Sequence, residues 1–94
     1  MSTILVTVQV EDFDRFLGVF STRGLELRRR HGSRGVRVMR HAGDPARVSL
    51  LFSWEADAFQ GFLGDPEVRD SMQASGTVGP PEILHLEDGL ELSA

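Results

Sequence analysis

The sequence predicts an α+β domain of ferredoxin-like βαββαβ order, a four-stranded antiparallel sheet with helices on one face. Three observations carry this. Residues 3–10 and 47–54 alternate apolar and polar side chains with the period of two that marks a half-covered strand. Phe13, Phe16, Leu17 and Phe20 recur at the i, i+3, i+4, i+7 spacing of an amphipathic helix. Between the third and fourth strands lie a short aromatic helix and an Asp-Pro restart, Asp65-Pro66.

Taken in order, the first strand puts Ile4, Val6, Val8 and Val10 on one face and Thr3, Leu5, Thr7 and Gln9 on the other. Glu11-Asp12 supplies an N-cap for a helix expected to run over residues 12–31. Its stripe continues through Gly24, Leu27 and His31 and closes at Gly32, and Arg28-Arg29-Arg30 complements the negative end of the helix dipole. A glycine inside a helix costs about 1 kcal/mol against alanine. Gly24 on the buried stripe therefore signals close approach of backbone or ligand. A second strand covers residues 35–41, and Ala42-Gly43-Asp44-Pro45 reads as a hairpin connection. The third strand, residues 47–54, presents Val48, Leu50, Phe52 and Trp54 on one face. Short helices follow over about 57–63 and from Pro66 to near Gly76. Thr77-Val78-Gly79-Pro80-Pro81 is expected as a rigid loop before a fourth strand at 82–87, placed beside the first in the centre of the sheet. The tail Asp88-Gly89-Leu90-Glu91-Leu92 can pair at an edge or reach a neighbour.

Ninety-four residues make one domain, 1–94. The chain has no cysteine, which excludes disulfides, thiolate metal sites and thiol nucleophiles and suits a cytoplasmic location. It has no apolar run long enough to span a membrane, and its first residues lack the basic start of a signal peptide. The net charge of −4 disfavours nucleic acid as a partner. All ten basic residues are arginine, so lysine Schiff-base chemistry and a lysine phosphate loop are excluded. One face of the sheet (Leu5, Thr7, Gln9, Leu51, Ser53, Leu84, Leu86) is too apolar for water and too polar for a deep core. A homodimer packed sheet to sheet would cover it.

The strand end Val48 to Glu55, with Ala58-Phe59, Phe62-Leu63, Asp65-Pro66, Val68, Met72 and Gly79-Pro80-Pro81-Glu82, resembles the dimeric α/β-barrel superfamily. Within it the chain is most similar to antibiotic-biosynthesis-monooxygenase-type domains. That resemblance implies a pocket between sheet and helices in each subunit, and either cofactor-free oxygenation of polycyclic phenols or haem degradation. Two departures bear on chemistry. Phe62 stands where haem-degrading relatives keep a histidine, and Leu50 where some oxygenases keep a polar amide. There is also no tyrosine to serve as a phenolic donor.

The candidate site residues follow from these patterns. Trp54 is either a core ring with its N–H satisfied or a flat wall for an aromatic ligand. Phe20, Phe59, Phe62 and Met72 are core by default and substrate-binding on the second view. His85 alternates with Ile83 and has three readings: a core residue, an interface residue or a general base titrating near neutrality. Arg37 is the candidate for steadying an oxyanion. His31 fits a helix cap and His41 a surface position. The three histidines lack HxH or HxxxH spacing, so no metal site is expected and no cofactor is called for. The arginines at 28–30, 34, 37 and 40 have two readings, a site for an anionic ligand or partner such as RNA, or a solvated helix end and edge strand. The second is favoured because no stacking aromatics are interleaved with them. Two functions remain open. One is a cofactor-independent monooxygenase or cyclase-like enzyme acting on a planar hydrophobic metabolite. The other is a non-catalytic ligand-binding or oligomerisation module.

Overall fold

A computed structural model describes residues 2–87 and 89–94. The elements run β1 (Ser2–Val10), α1 (Phe13–Phe20), α2 (Arg23–Arg30), β2 (Gly35–His41), β3 (Asp44–Trp54), α3 (Ala56–Leu63), α4 (Pro66–Ala74) and β4 (Thr77–Leu86). The strands form one antiparallel sheet in the order β2-β3-β1-β4, which is the ferredoxin-like arrangement with each helical segment split in two.

The core lies between the helices and one face of the sheet. Ile4, Val6, Val8 and Val10 of β1 and Val48, Leu50, Phe52 and Trp54 of β3 are all buried there, joined by Phe16 and Phe59. Period-two alternation in the two central strands puts these residues on one side. Asp12 and Asp65 cap α1 and α4 as their positions imply: Asp12 accepts from the amides of Asp14 and Arg15, and Asp65 from that of Glu67.

Four expectations are corrected. The helix over 12–31 is two helices, because the Ser21 and Thr22 hydroxyls donate to the Leu17 and Gly18 carbonyls at 2.7 Å each and Thr22 leaves helical geometry. Asp44 and Pro45 belong to β3, so the β2–β3 turn is tighter than the composition of residues 42–45 implies. Residues 77–81 are strand, not loop. From Thr7 to Gln9 on β1 there is one intervening residue, against three between Val78 and Glu82 on β4, so Gly79, Pro80 and Pro81 form a bulge. Proline is tolerated there because β4 is an edge strand. That edge position is the fourth correction: β4 pairs with β1, but the centre of the sheet belongs to β1 and β3. In the tail, Asp88 lies outside the described residues, and residues 89–94 form neither helix nor strand.

Candidate functional site

The segment after β3 is held by one polar network. Trp54 is fully buried, and its Nε1–H donates to the carbonyl oxygen of His31 at 2.9 Å. The His31 Nε2 lies 2.8 Å from Oδ2 of Asp65, whose Oδ1 accepts the Glu67 amide. The His31 hydrogen bond, followed by the Glu67 amide, lowers the Asp65 pKa below the ordinary carboxylate value of 3.8. Arg30 adds a contact to Glu67 at 3.2 Å. The end of α2, the end of β3 and the start of α4 are thereby fixed to one another. Asp65 was legible as a cap and His31 as a helix end, but their pairing is a contact across 34 positions of sequence.

Above this network the aromatic rings form a continuous cluster. Trp54 packs on Phe62 and Phe59 with ring centroids 4.7 and 5.2 Å apart, and Phe20 reaches the cluster through Phe52 at 6.5 Å. Beside the cluster, between helices and sheet, is a partly open cavity of about 70 Å³. Its apolar wall includes Phe20, Phe52, Phe59, Phe62 and Met72. The polar side chains on its lining are Arg28, Ser71, Ser75 and Thr77, and no aspartate, glutamate or histidine is among them. The Ser75 hydroxyl donates to the Met72 carbonyl at 2.6 Å, so the Thr77 hydroxyl donates to Ser75 Oγ at 2.9 Å.

Arg28 corrects the solvated reading of the 28–30 arginine run. It is 5% exposed, and its Nη1 donates to the Phe20 carbonyl at 2.8 Å. The guanidinium carbon sits 3.8 Å from the centre of the Phe20 ring. Burial lowers its pKa to about 10, which leaves it a cation at neutral pH. Gly24 makes this possible, since a Cβ there would stand 3.0 Å from Arg28 Nη1 and 3.3 Å from the Val19 carbonyl oxygen. The available signal was that glycine, one helical turn before Arg28 on the buried stripe.

Phe20, Phe59, Phe62 and Met72 thus share the cavity, whereas Trp54 lies behind it and is absent from the lining. His85 faces the helix side of the sheet opposite Ile4 but is exposed on the edge strand. It meets Phe59 edge-on at 6.0 Å and does not line the cavity. Arg37 is opposite Leu51, on the uncovered face, so the sheet separates it from the cavity. On that same face His41 Nε2 and Ser49 Oγ are 2.8 Å apart, and Ser49 bonds Thr7 at 3.0 Å. Among the described residues no group of three or more acidic or histidine side chains could hold a metal, and no helix is long and apolar enough to cross a membrane.

The fold is that of antibiotic biosynthesis monooxygenase domain proteins. A candidate antibiotic biosynthesis monooxygenase from Bordetella bronchiseptica superposes with a TM-score of 0.73 at 19% identity, over 96% of this chain and 100% of that one. A second, from Caulobacter crescentus, gives 0.72 at 19% identity over 96% and 90%. The cofactor-independent oxygenase SnoaB from Streptomyces nogalater gives 0.72 at 17% identity over 95% of each chain. No family model and no curated protein sequence matches the chain.

Proposed function

We propose that the protein binds a small, planar, mostly apolar metabolite in the cavity between helices and sheet and oxygenates it without a metal or tightly held cofactor. The observation that supports this most is an aromatic cavity, walled by Phe20, Phe59, Phe62 and Met72, on a scaffold shared with a cofactor-independent oxygenase. The chemistry asks the substrate for an acidic hydroxyl conjugated to a reacting methylene. Loss of a proton gives an electron-rich anion whose carbon bonds dioxygen. The peroxide takes a proton back and loses water, leaving a carbonyl. The substrate thus supplies the electrons, and the second oxygen leaves as water.

On this reading Trp54 is the rigid backing of the aromatic wall. His85, edge-on to Phe59, is the candidate proton acceptor, and an Arg37 role in oxyanion binding would have to come from outside the cavity. Oxygen uptake across a panel of polycyclic phenols that carry a conjugated methylene tests the assignment. Wild type is expected to consume oxygen, and His85→Ala to do so at least about tenfold more slowly. Equal rates remove His85 and leave deprotonation to the substrate's own acidity.

One observation favours a second reading, a non-catalytic binding module: the cavity lining carries no general base. Ligand binding with no oxygen uptake across the panel would select it. On either reading we assign the uncovered sheet face to a second copy of the chain. Leu5, Met39, Leu51, Leu84 and Leu86 share that face by strand register, and Leu84 is 56% exposed.

A further inference from the structure

We propose that Arg28 is the anion-recognition residue of the cavity, and that the ligand is a small ring-bearing organic monoanion gripped through a carboxylate or phenolate oxygen. The inference rests on reading the cavity as a ligand site, and is independent of whether oxygen reacts there. Among the described residues the ion pairs are Arg30 with Asp65 and Glu67, His31 with Asp65, and Arg47 with Glu82. Arg28 has none. A buried guanidinium without a carboxylate is costly to keep dry, and an anionic ligand would supply the missing countercharge.

The geometry suits that role. Arginine carries five N–H donors in a rigid fork. The Nη1 bond to the Phe20 carbonyl and the stacking over the Phe20 ring fix the plane of the fork while engaging only part of it. Phe20, Gly24 and Arg28 all lie on the cavity wall, so the Arg28 side chain borders space shared with Phe59, Phe62 and Met72. A ligand with one charged end and an apolar body matches this division. A planar oxyanion head would take charge-assisted bonds from the fork, and its ring would meet the aromatic side chains. The desolvation that lowers the Arg28 pKa also strengthens its attraction for an anion entering the same site.

A second observation supports the approach of an anion. Arg28 also borders a surface groove formed with Leu25, Arg29, Ser33, Arg34, Gly35 and Val36. Three arginines therefore gather at one place on a chain of net charge −4, giving a local positive potential beside the cavity.

Calorimetric titration with benzoate and 4-nitrophenolate, at a pH where both are ionised, and with neutral benzamide and 4-nitroanisole tests the proposal. Wild type is expected to bind at least one anion ten times or more tighter than its neutral counterpart. Preference for benzoate identifies a carboxylate ligand, and preference for nitrophenolate a phenolate. Arg28→Met should abolish the preference and retain binding of the neutral ring. Arg28→Lys should keep part of it, and Gly24→Ala should weaken it by displacing the guanidinium without removing its charge. Equal binding of anion and neutral probe, an undiminished preference in Arg28→Met, or no binding of any probe overturns the proposal. Should Arg28→Met fail to fold, a preference unchanged in both Arg28→Lys and Gly24→Ala overturns it. Oxygen uptake by a protein without anion preference would refute this inference alone. Anion preference without uptake would refute the oxygenase reading alone.

Discussion

Trp54 donates its indole N–H to the carbonyl oxygen of His31 across 2.9 Å, and so closes one of the carbonyls that the C-terminus of α2 leaves without a helical partner. The bond joins the last residue of β3 to the residue that caps α2, which explains why the sole tryptophan of the chain is fully buried yet needs no ligand to satisfy its N–H. Trp54→Phe removes the donor, strands a partly buried carbonyl and shrinks the ring. The expected cost is about 2–3 kcal/mol, seen as a lower midpoint in urea unfolding followed by circular dichroism. A change below about 0.5 kcal/mol would show that the His31 carbonyl finds water instead.

The pairing of Asp65 with His31 sets an acid limit on stability. Because the folded state holds the Asp65 carboxyl below 3.8, the unfolded chain binds more protons as pH falls into that range. The stabilisation is therefore complete above the ordinary aspartate pKa and is lost as pH falls through the lower folded value. Asp65→Asn keeps a side chain able to cap α4 but removes the titration. Urea midpoints measured from neutral pH into acid should decline less steeply in the variant than in wild type. Identical acid slopes would mean that Asp65 titrates alike in the folded and unfolded chains.

How much of this was legible in the sequence depends on whether the deciding contact is local. The faces of β1 and β3, the Asp12 and Asp65 caps and the aromatic helix α3 follow from spacing alone. The break at Ser21-Thr22 does not, since hydroxyls that turn back onto carbonyls leave no mark on the hydrophobic stripe, which continues unbroken through Gly24 and Leu27. Nor does Arg28 differ in type from Arg29 and Arg30, although it alone of the three is buried. Its burial depends on the Phe20 carbonyl eight residues earlier and on the space left by Gly24. Nor does the sequence show where His85 and Arg37 lie relative to the cavity, for one reason: neighbours along a strand do not reveal whether the strand is an edge or which face holds the cavity. Sheet order and register settle both.

Phe59 joins the wall of the cavity to the core beneath it. It is 1% exposed and packs its ring against those of Phe52, Trp54 and Phe62. Phe59→Ala should cost about 3–5 kcal/mol, a large part of the total stability of a domain this small. Phe59→Leu should cost less because it keeps most of the volume. Thermal unfolding of the two variants gives the order. If the alanine variant were no less stable than the leucine one, Phe59 would be a mobile cavity side chain and not part of the core.

The uncovered face of the sheet offers the sharpest test of assembly, because strand register puts Leu5 opposite both Leu51 and Leu84. Leu84, over half exposed, sits on the edge strand where a partner sheet would meet it. In a sheet-to-sheet dimer, Leu84→Arg would bury an unpaired charge, which costs several kcal/mol. In a monomer the same change adds a charge to an exposed edge, where it is tolerated and discourages strand pairing. Light scattering of wild type at micromolar concentration should therefore give a dimer mass, and Leu84→Arg a monomer mass with an unchanged circular dichroism spectrum. A monomeric wild type would reject the assignment outright. A Leu84→Arg protein that stays dimeric would move the interface off this part of the sheet.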